Sequence, residues 1–187
     1  SRPVTSIWRR VSERPLLWVV ALAVVLRLPT LTTRLFDADE AAIGVQGMVL
    51  RDGGTIYRDI FDRKPPLPPL AYAGSFALTG DTDVRLMRVL VTLLLIGGGL
   101  LMATEARRRW GTTTHAMWAG TLFVAGAMAM FPADAGGANY AHFALLPATA
   151  ALLWSRRDRW GWALAAGVAF GLALLTRQSW LVALPPA

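Results

Sequence analysis

Apolar residues in this chain run in blocks too long and too uniform to be the inner faces of soluble helices, and short charged stretches separate them. Five blocks stand out, at 15–33, 84–104, 114–131, 140–154 and 160–176. A helix crosses the hydrocarbon core of a bilayer with about 20 residues, and most of these blocks have that length. The fourth is short and draws on its flanks. The pattern predicts an all-α integral membrane protein with about five transmembrane helices. Its connectors fall at 1–14, 34–83, 105–113, 132–139, 155–159 and 177–187. Arg27 and Pro29 interrupt the first block near its end, which predicts an Arg27 side chain reaching outward to the interface. Gly97, Gly98 and Gly99 in the second block are small enough for close helix packing.

The connector 34–83 has structure of its own. Ala41, Val45, Met48 and Val49 recur at spacings of three and four, with Gln46 and Arg51 elsewhere, and predict a helix from Glu40 to Arg51 lying along the membrane surface. Asp52-Gly53-Gly54 ends it as a turn. Pro65, Pro66, Pro68 and Pro69 argue against a helix across their own stretch. Leu70 to Leu78 is apolar again and stops at Gly80-Asp81, giving a second juxtamembrane helix.

Composition agrees with a membrane protein. Hydrophobic residues make up 55% of the chain, charged residues only 17%, and mean hydropathy is +0.44, values that a soluble chain of this length rarely reaches. Trp8, Trp18, Trp110, Trp154, Trp160 and Trp180 stand at or near block ends, where indole rings favour the interface. The net charge of +7 would suggest nucleic acid in a soluble protein. Here Arg2, Arg9, Arg10 and Arg14 precede the first block, Arg107, Arg108 and Arg109 follow the second, and Arg156, Arg157 and Arg159 separate the last two. These are alternate connectors along the chain, the positive-inside pattern, which argues against nucleic acid and places the N-terminus in the cytoplasm. The expected location is the cell (inner or plasma) membrane, with connectors 34–83, 132–139 and 177–187 external. The absence of cysteine removes thiolate chemistry and disulfides. No cleavage site of small residues follows the first block, and with Ser1 at one end and Ala187 just past an apolar run, the chain is expected to belong to something longer.

The external connector 34–83 holds Asp37, Asp39, Glu40, Asp52, Asp59, Asp62, Asp81 and Asp83, eight of the chain's twelve acids. Asp39-Glu40 comes just after the first block, where an apolar wall favours a general base. An Asp there also suits the N-terminus of the predicted helix as a cap, and both readings stand. Asp62-Arg63-Lys64 precedes a proline pair that fixes its backbone, so Arg63 and Lys64 are presented either to a phosphate or to lipid headgroups.

Taken together, Leu26-Arg27-Leu28-Pro29, Asp39-Glu40-Ala41, Gly53-Gly54, Tyr57, Asp62-Arg63-Lys64-Pro65-Pro66-Leu67, Gly80 and Arg88 resemble the GT-C glycosyltransferases of the aminoarabinose-transferase and protein O-mannosyltransferase type. The resemblance runs from about Arg27 to Gly111. It implies transfer of a sugar from a polyprenyl phosphate to an acceptor hydroxyl of a lipid, glycan or protein on the external face. It casts Asp39 as general base, Glu40 as its orienting or acceptor-binding partner, and Lys64 beside the donor phosphate. In aminoarabinose transferases an acid directly precedes that Lys, whereas here Arg63 does and Asp62 is one residue earlier, so a divalent metal stays open. Asn139 matches the second external loop of such enzymes, but Ala141 stands where many carry an acid, with Asp134 and His142 as substitutes. Arg177-Gln178 ends the fifth block as a candidate for the donor phosphate or an interfacial anchor. The resemblance further implies that later helices, or a membrane complex, complete the site, and that this stretch alone is inactive. A non-catalytic membrane subunit that keeps the fold is the alternative. A transporter is disfavoured because no acid lies at mid-depth in a block.

Overall fold

Among the described residues five helices pack into a bundle, and two more, paired with each other, cover one end of it. The computed structural model describes residues 14–32, 37–60, 62–129 and 136–183. The helices are α1 (Pro15–Arg27), α2 (Ala38–Arg51), α3 (Leu67–Thr79), α4 (Arg85–Trp110), α5 (Thr113–Ala129), α6 (Tyr140–Trp154) and α7 (Trp160–Thr176). One 3-10 turn, Leu28–Leu31, follows α1 and another, Gln178–Ala183, follows α7. No strand occurs among the described residues.

α4 is the axis of the bundle, packing against α1, α5 and α6, while α7 packs on α6. Among the described residues it is also the one helix long and apolar enough to cross a membrane by length and composition, the other apolar helices being shorter. The small residues of α4 bring its neighbours close. A Cβ on Gly120 would fall 2.3 Å from Val19 Cγ2 and 3.2 Å from the Gly99 carbonyl, so α1, α4 and α5 meet where side chains are absent. Val19, Ala23, Leu95, Ala103, Ala116 and Val124 form the core there, and Trp18 Nε1 donates to Thr121 Oγ1 at 2.9 Å.

Large apolar side chains also cover the outside: Leu17, Val25, Leu93, Leu122, Leu164 and Val168 are each more than half exposed. A helix apolar on every side has no face to offer water, and a bilayer is the solvent that removes this cost.

Three details depart from the expectations of the sequence. Arg27 turns inward and is 2% exposed; its Nε donates to Thr92 Oγ1 at 3.3 Å and its Nη2 to the Gly137 carbonyl at 3.5 Å. α3 starts at Leu67, with Pro68 and Pro69 inside its first turn, where the missing amide protons have no intrahelical acceptor to lose. α2 starts at Ala38 and is capped by Asp37, whose side chain accepts from the Glu40 amide, so Asp39 is left free of that duty. α2 also buries the face carrying Glu40, Ile43, Gly44, Gln46 and Gly47, while Val45 is exposed. Gly47 makes that face possible, because a Cβ there would stand 2.6 Å from Tyr72 Cβ of α3. Phe36 and Asp134 lie outside the described residues.

Candidate functional site

The end of the bundle covered by α2 and α3 collects the ends of α1 and α7, the starts of α4 and α6, and most of the acidic side chains. Beneath its surface is a buried polar lattice. Arg88, fully buried, donates from Nε to Glu40 Oε1 at 2.8 Å, and from Nη1 to the Thr30 carbonyl. Glu40, also fully buried, accepts from the Ala138 amide at 2.9 Å through the same Oε1. Tyr72 donates its hydroxyl to the Ala138 carbonyl at 2.9 Å, and burial, with Glu40 nearby, holds its phenol well above the ordinary range. α1, α2, α3, α4 and the residues before α6 are thereby locked together by groups that would each be costly to leave unpaired. Glu40 is thus enclosed and serves to hold α2 in place.

One residue earlier the environment is different. The Asp39 side chain is 52% exposed and its Oδ1 stands 2.8 Å from Nζ of Lys64, itself 42% exposed. The two motifs that the sequence places 25 residues apart are therefore in contact at the surface. Lys64 Nζ also lies 4.8 Å from the ring centre of Tyr140, over its face, a placement favourable to an ammonium. Asp62 Oδ1 accepts from the Lys64 amide at 3.1 Å, and Asp62 Oδ2 accepts from Gln46 Nε2 at 2.7 Å. Gln46 Oε1 in turn accepts from the Tyr140 hydroxyl at 3.3 Å. A closed circuit of Lys64, Asp62, Gln46 and Tyr140 therefore presents the ammonium to Asp39.

The turn before it is braced as well. Tyr57 adopts a left-handed backbone at φ 66, rare for a residue other than glycine, and its hydroxyl donates to the Lys64 carbonyl at 3.3 Å. Asp59 closes that turn by accepting from the Thr55 amide at 2.7 Å, and its carboxyl lies below its ordinary range because Arg58 donates to it, with the Thr55 amide adding to the effect.

The remaining candidates are placed as follows. Arg63 is exposed, and its carbonyl accepts from Gln178 Nε2 at 2.9 Å, which ties the end of α7 to the Lys64 turn. Arg177 is exposed at the C-terminus of α7. Asn139 is 5% exposed and caps α6, its Oδ1 accepting from the amides of Ala141 and His142. His142 is buried beside it, with Nδ1 3.0 Å from the same oxygen. Asn139 and His142 therefore stand inside the wall rather than on the surface that carries Asp39 and Lys64. A groove of about 520 Å³ lined by Ala41, Val45, Met48, Phe76 and Asp83 runs along the opposite face of α2 and touches neither residue.

Among the described residues no three His, Cys, Asp or Glu side chains gather as a metal set. Asp39 and Asp62 are instead engaged by donors, Lys64 and Gln46, that would compete with a cation. These residues do not fit a divalent metal.

Gln46 and Tyr140 are absent from the sequence-based candidates. Gln46 did carry a signal, since it stands seven residues after Asp39 and so on the same helical face two turns away. Tyr140 carried none beyond its place next to Asn139, because its partners lie in distant segments.

A family model described as dolichyl-phosphate-mannose-protein mannosyltransferase matches residues 63–187, and the chain belongs to that family of membrane glycosyltransferases. The match takes in Lys64 and its proline pair, to which the Asp39 ion pair joins the preceding helix. No curated protein and no solved structure gave a match.

Proposed function

We propose that this chain carries the acceptor-activating and donor-binding face of an enzyme that moves a sugar from a polyprenyl phosphate to an acceptor hydroxyl on the external side of the membrane. The observation that carries the reading is the exposed 2.8 Å contact between Asp39 and Lys64, with family membership supplying the reaction class. In the resting arrangement the two charges satisfy one another. A donor phosphate offers Lys64 a stronger partner, and the ammonium swings from Asp39 to the phosphate oxygens. Asp39 is then free to accept the proton of the acceptor hydroxyl. The acceptor oxygen forms a bond to the sugar's anomeric carbon. The bond from that carbon to the phosphate oxygen breaks, and its electron pair stays on the phosphate, where Lys64 balances the growing charge. Asp62, Gln46 and Tyr140 hold Lys64 within reach of both partners. Glu40 acts through the fold, by fixing the helix that carries Asp39. Arg63 and Arg177, both exposed at this end, supply further positive charge for the donor.

A non-catalytic subunit is the second reading, favoured by Ala141 at the position where the resemblance implies an acid. Transfer of radiolabelled sugar from polyprenyl-phosphate donors by membranes containing the complete gene product tests both. Label reaching an acceptor is the expected result; its absence with every donor offered would support the subunit.

A further inference from the structure

The end of the bundle away from Asp39 and Lys64 carries a second concentration of charge. α4 finishes in Arg107-Arg108-Arg109-Trp110, and the turn between α6 and α7 reads Arg156-Arg157-Asp158-Arg159-Trp160. Glu105, its side chain 7% exposed, joins these two segments: it meets Arg108 at 3.0 Å, Arg109 at 2.7 Å and Arg157 at 3.7 Å. The two segments carry six arginines against two carboxylates, Glu105 and Asp158, and Glu105 pairs with three of them. Arg157 is held by stacking 4.1 Å over the Trp162 ring, which packs on Trp154. Among the described residues no acceptor reaches its buried Nε. Arg156 and Arg159 flank it in sequence and are exposed, as is Arg107 near the end of α4. Exposed Trp110 and Trp160 mark the same level, and exposed Leu152 and Leu164 continue from it along α6 and α7.

We infer that this end is a binding site for the phosphate headgroup of an anionic phospholipid, shared by the α4 terminus and the α6–α7 turn. Guanidinium groups suit phosphate because their N–H pairs match its oxygens. A lipid fits better than a free anion because the arginines end where apolar, acyl-facing helix surface begins. Glu105 sets the spacing of three arginines without neutralising them, which leaves a net positive charge for the headgroup.

The complete gene product in nanodiscs of phosphatidylcholine, with or without phosphatidylglycerol, tests this by thermal unfolding. Phosphatidylglycerol is expected to raise the midpoint by about 2–4 °C. Because Arg157→Gln disturbs the packed Trp162, the exposed pair Arg156→Gln/Arg159→Gln is the informative variant. It should unfold at the wild-type temperature in phosphatidylcholine and lose most of the gain from phosphatidylglycerol. An equal gain in variant and wild type, or no gain in either, would overturn the site. Inorganic phosphate giving the full gain in phosphatidylcholine nanodiscs would overturn the lipid assignment.

Discussion

Arg88 Nε lies 2.8 Å from Glu40 Oε1, and neither side chain reaches the surface. The pair joins the start of α4 to the first turn of α2, so the helix bearing Asp39 is positioned by a residue 48 places further along the chain. Removing one charge leaves the other enclosed without its counter-charge. Glu40→Gln should therefore cost about 3–5 kcal/mol, read as a large drop in unfolding temperature in detergent. The double change Glu40→Gln/Arg88→Met should cost clearly less than the two single changes added together. Additive costs would show that the two residues are not coupled.

The close approach of α1 and α5 sets a second expectation. Gly120→Ala places a methyl group against Val19, and overpacking of this kind costs about 1–3 kcal/mol. Val19→Ala should restore most of that loss when combined with it. A Gly120→Ala protein as stable as the wild type would contradict the packing described.

The cap of α2 gives a smaller effect. Asp37→Ala removes the acceptor of the Glu40 amide and should lower stability by about 1 kcal/mol, whereas Asp37→Ser should recover much of it. Asp39→Ala should leave stability nearly unchanged, since Asp39 makes only a surface ion pair. The order of the three unfolding temperatures distinguishes cap from surface carboxylate.

Tyr140 acts on Lys64 through its ring and on Gln46 through its hydroxyl. Tyr140→Phe keeps the ring beneath the ammonium and should retain most of the transfer rate. Tyr140→Leu removes the ring and should weaken donor use roughly five-fold, the size of a cation–π contact near one kcal/mol, chiefly in KM for the donor. Equal KM values for the two variants would remove Tyr140 as the residue that positions Lys64.

Much of this architecture was legible because uniform apolar blocks leave little freedom: α6 and α7 run from Tyr140 to Trp154 and from Trp160 to Thr176, close to the block limits. The polar residues were harder to place. An arginine near the end of an apolar block suits an interface as well as an interior, and Arg27 is drawn inside by a carbonyl 110 residues away. The same ambiguity hid Glu40, whose partner Arg88 looks from sequence like an interfacial charge. A helix starting at Glu40 would make Asp39 the cap; α2 begins two residues earlier, at Ala38, so Asp37 takes that place. The motifs that carry the two surface charges, Asp39 and Lys64, could be read from the sequence. Their contact could not, because it depends on how α2 and α3 fold across the bundle end.

Asp39 is the residue on which the proposed transfer depends most directly. Transfer from a polyprenyl-phosphate sugar should be compared for the wild-type gene product and Asp39→Asn in the same membranes, with unfolding temperature measured alongside. The proposed role predicts loss of at least about 100-fold in rate, the scale of a general base, at an unchanged unfolding temperature. An Asp39→Asn protein that transfers sugar at the wild-type rate would contradict it.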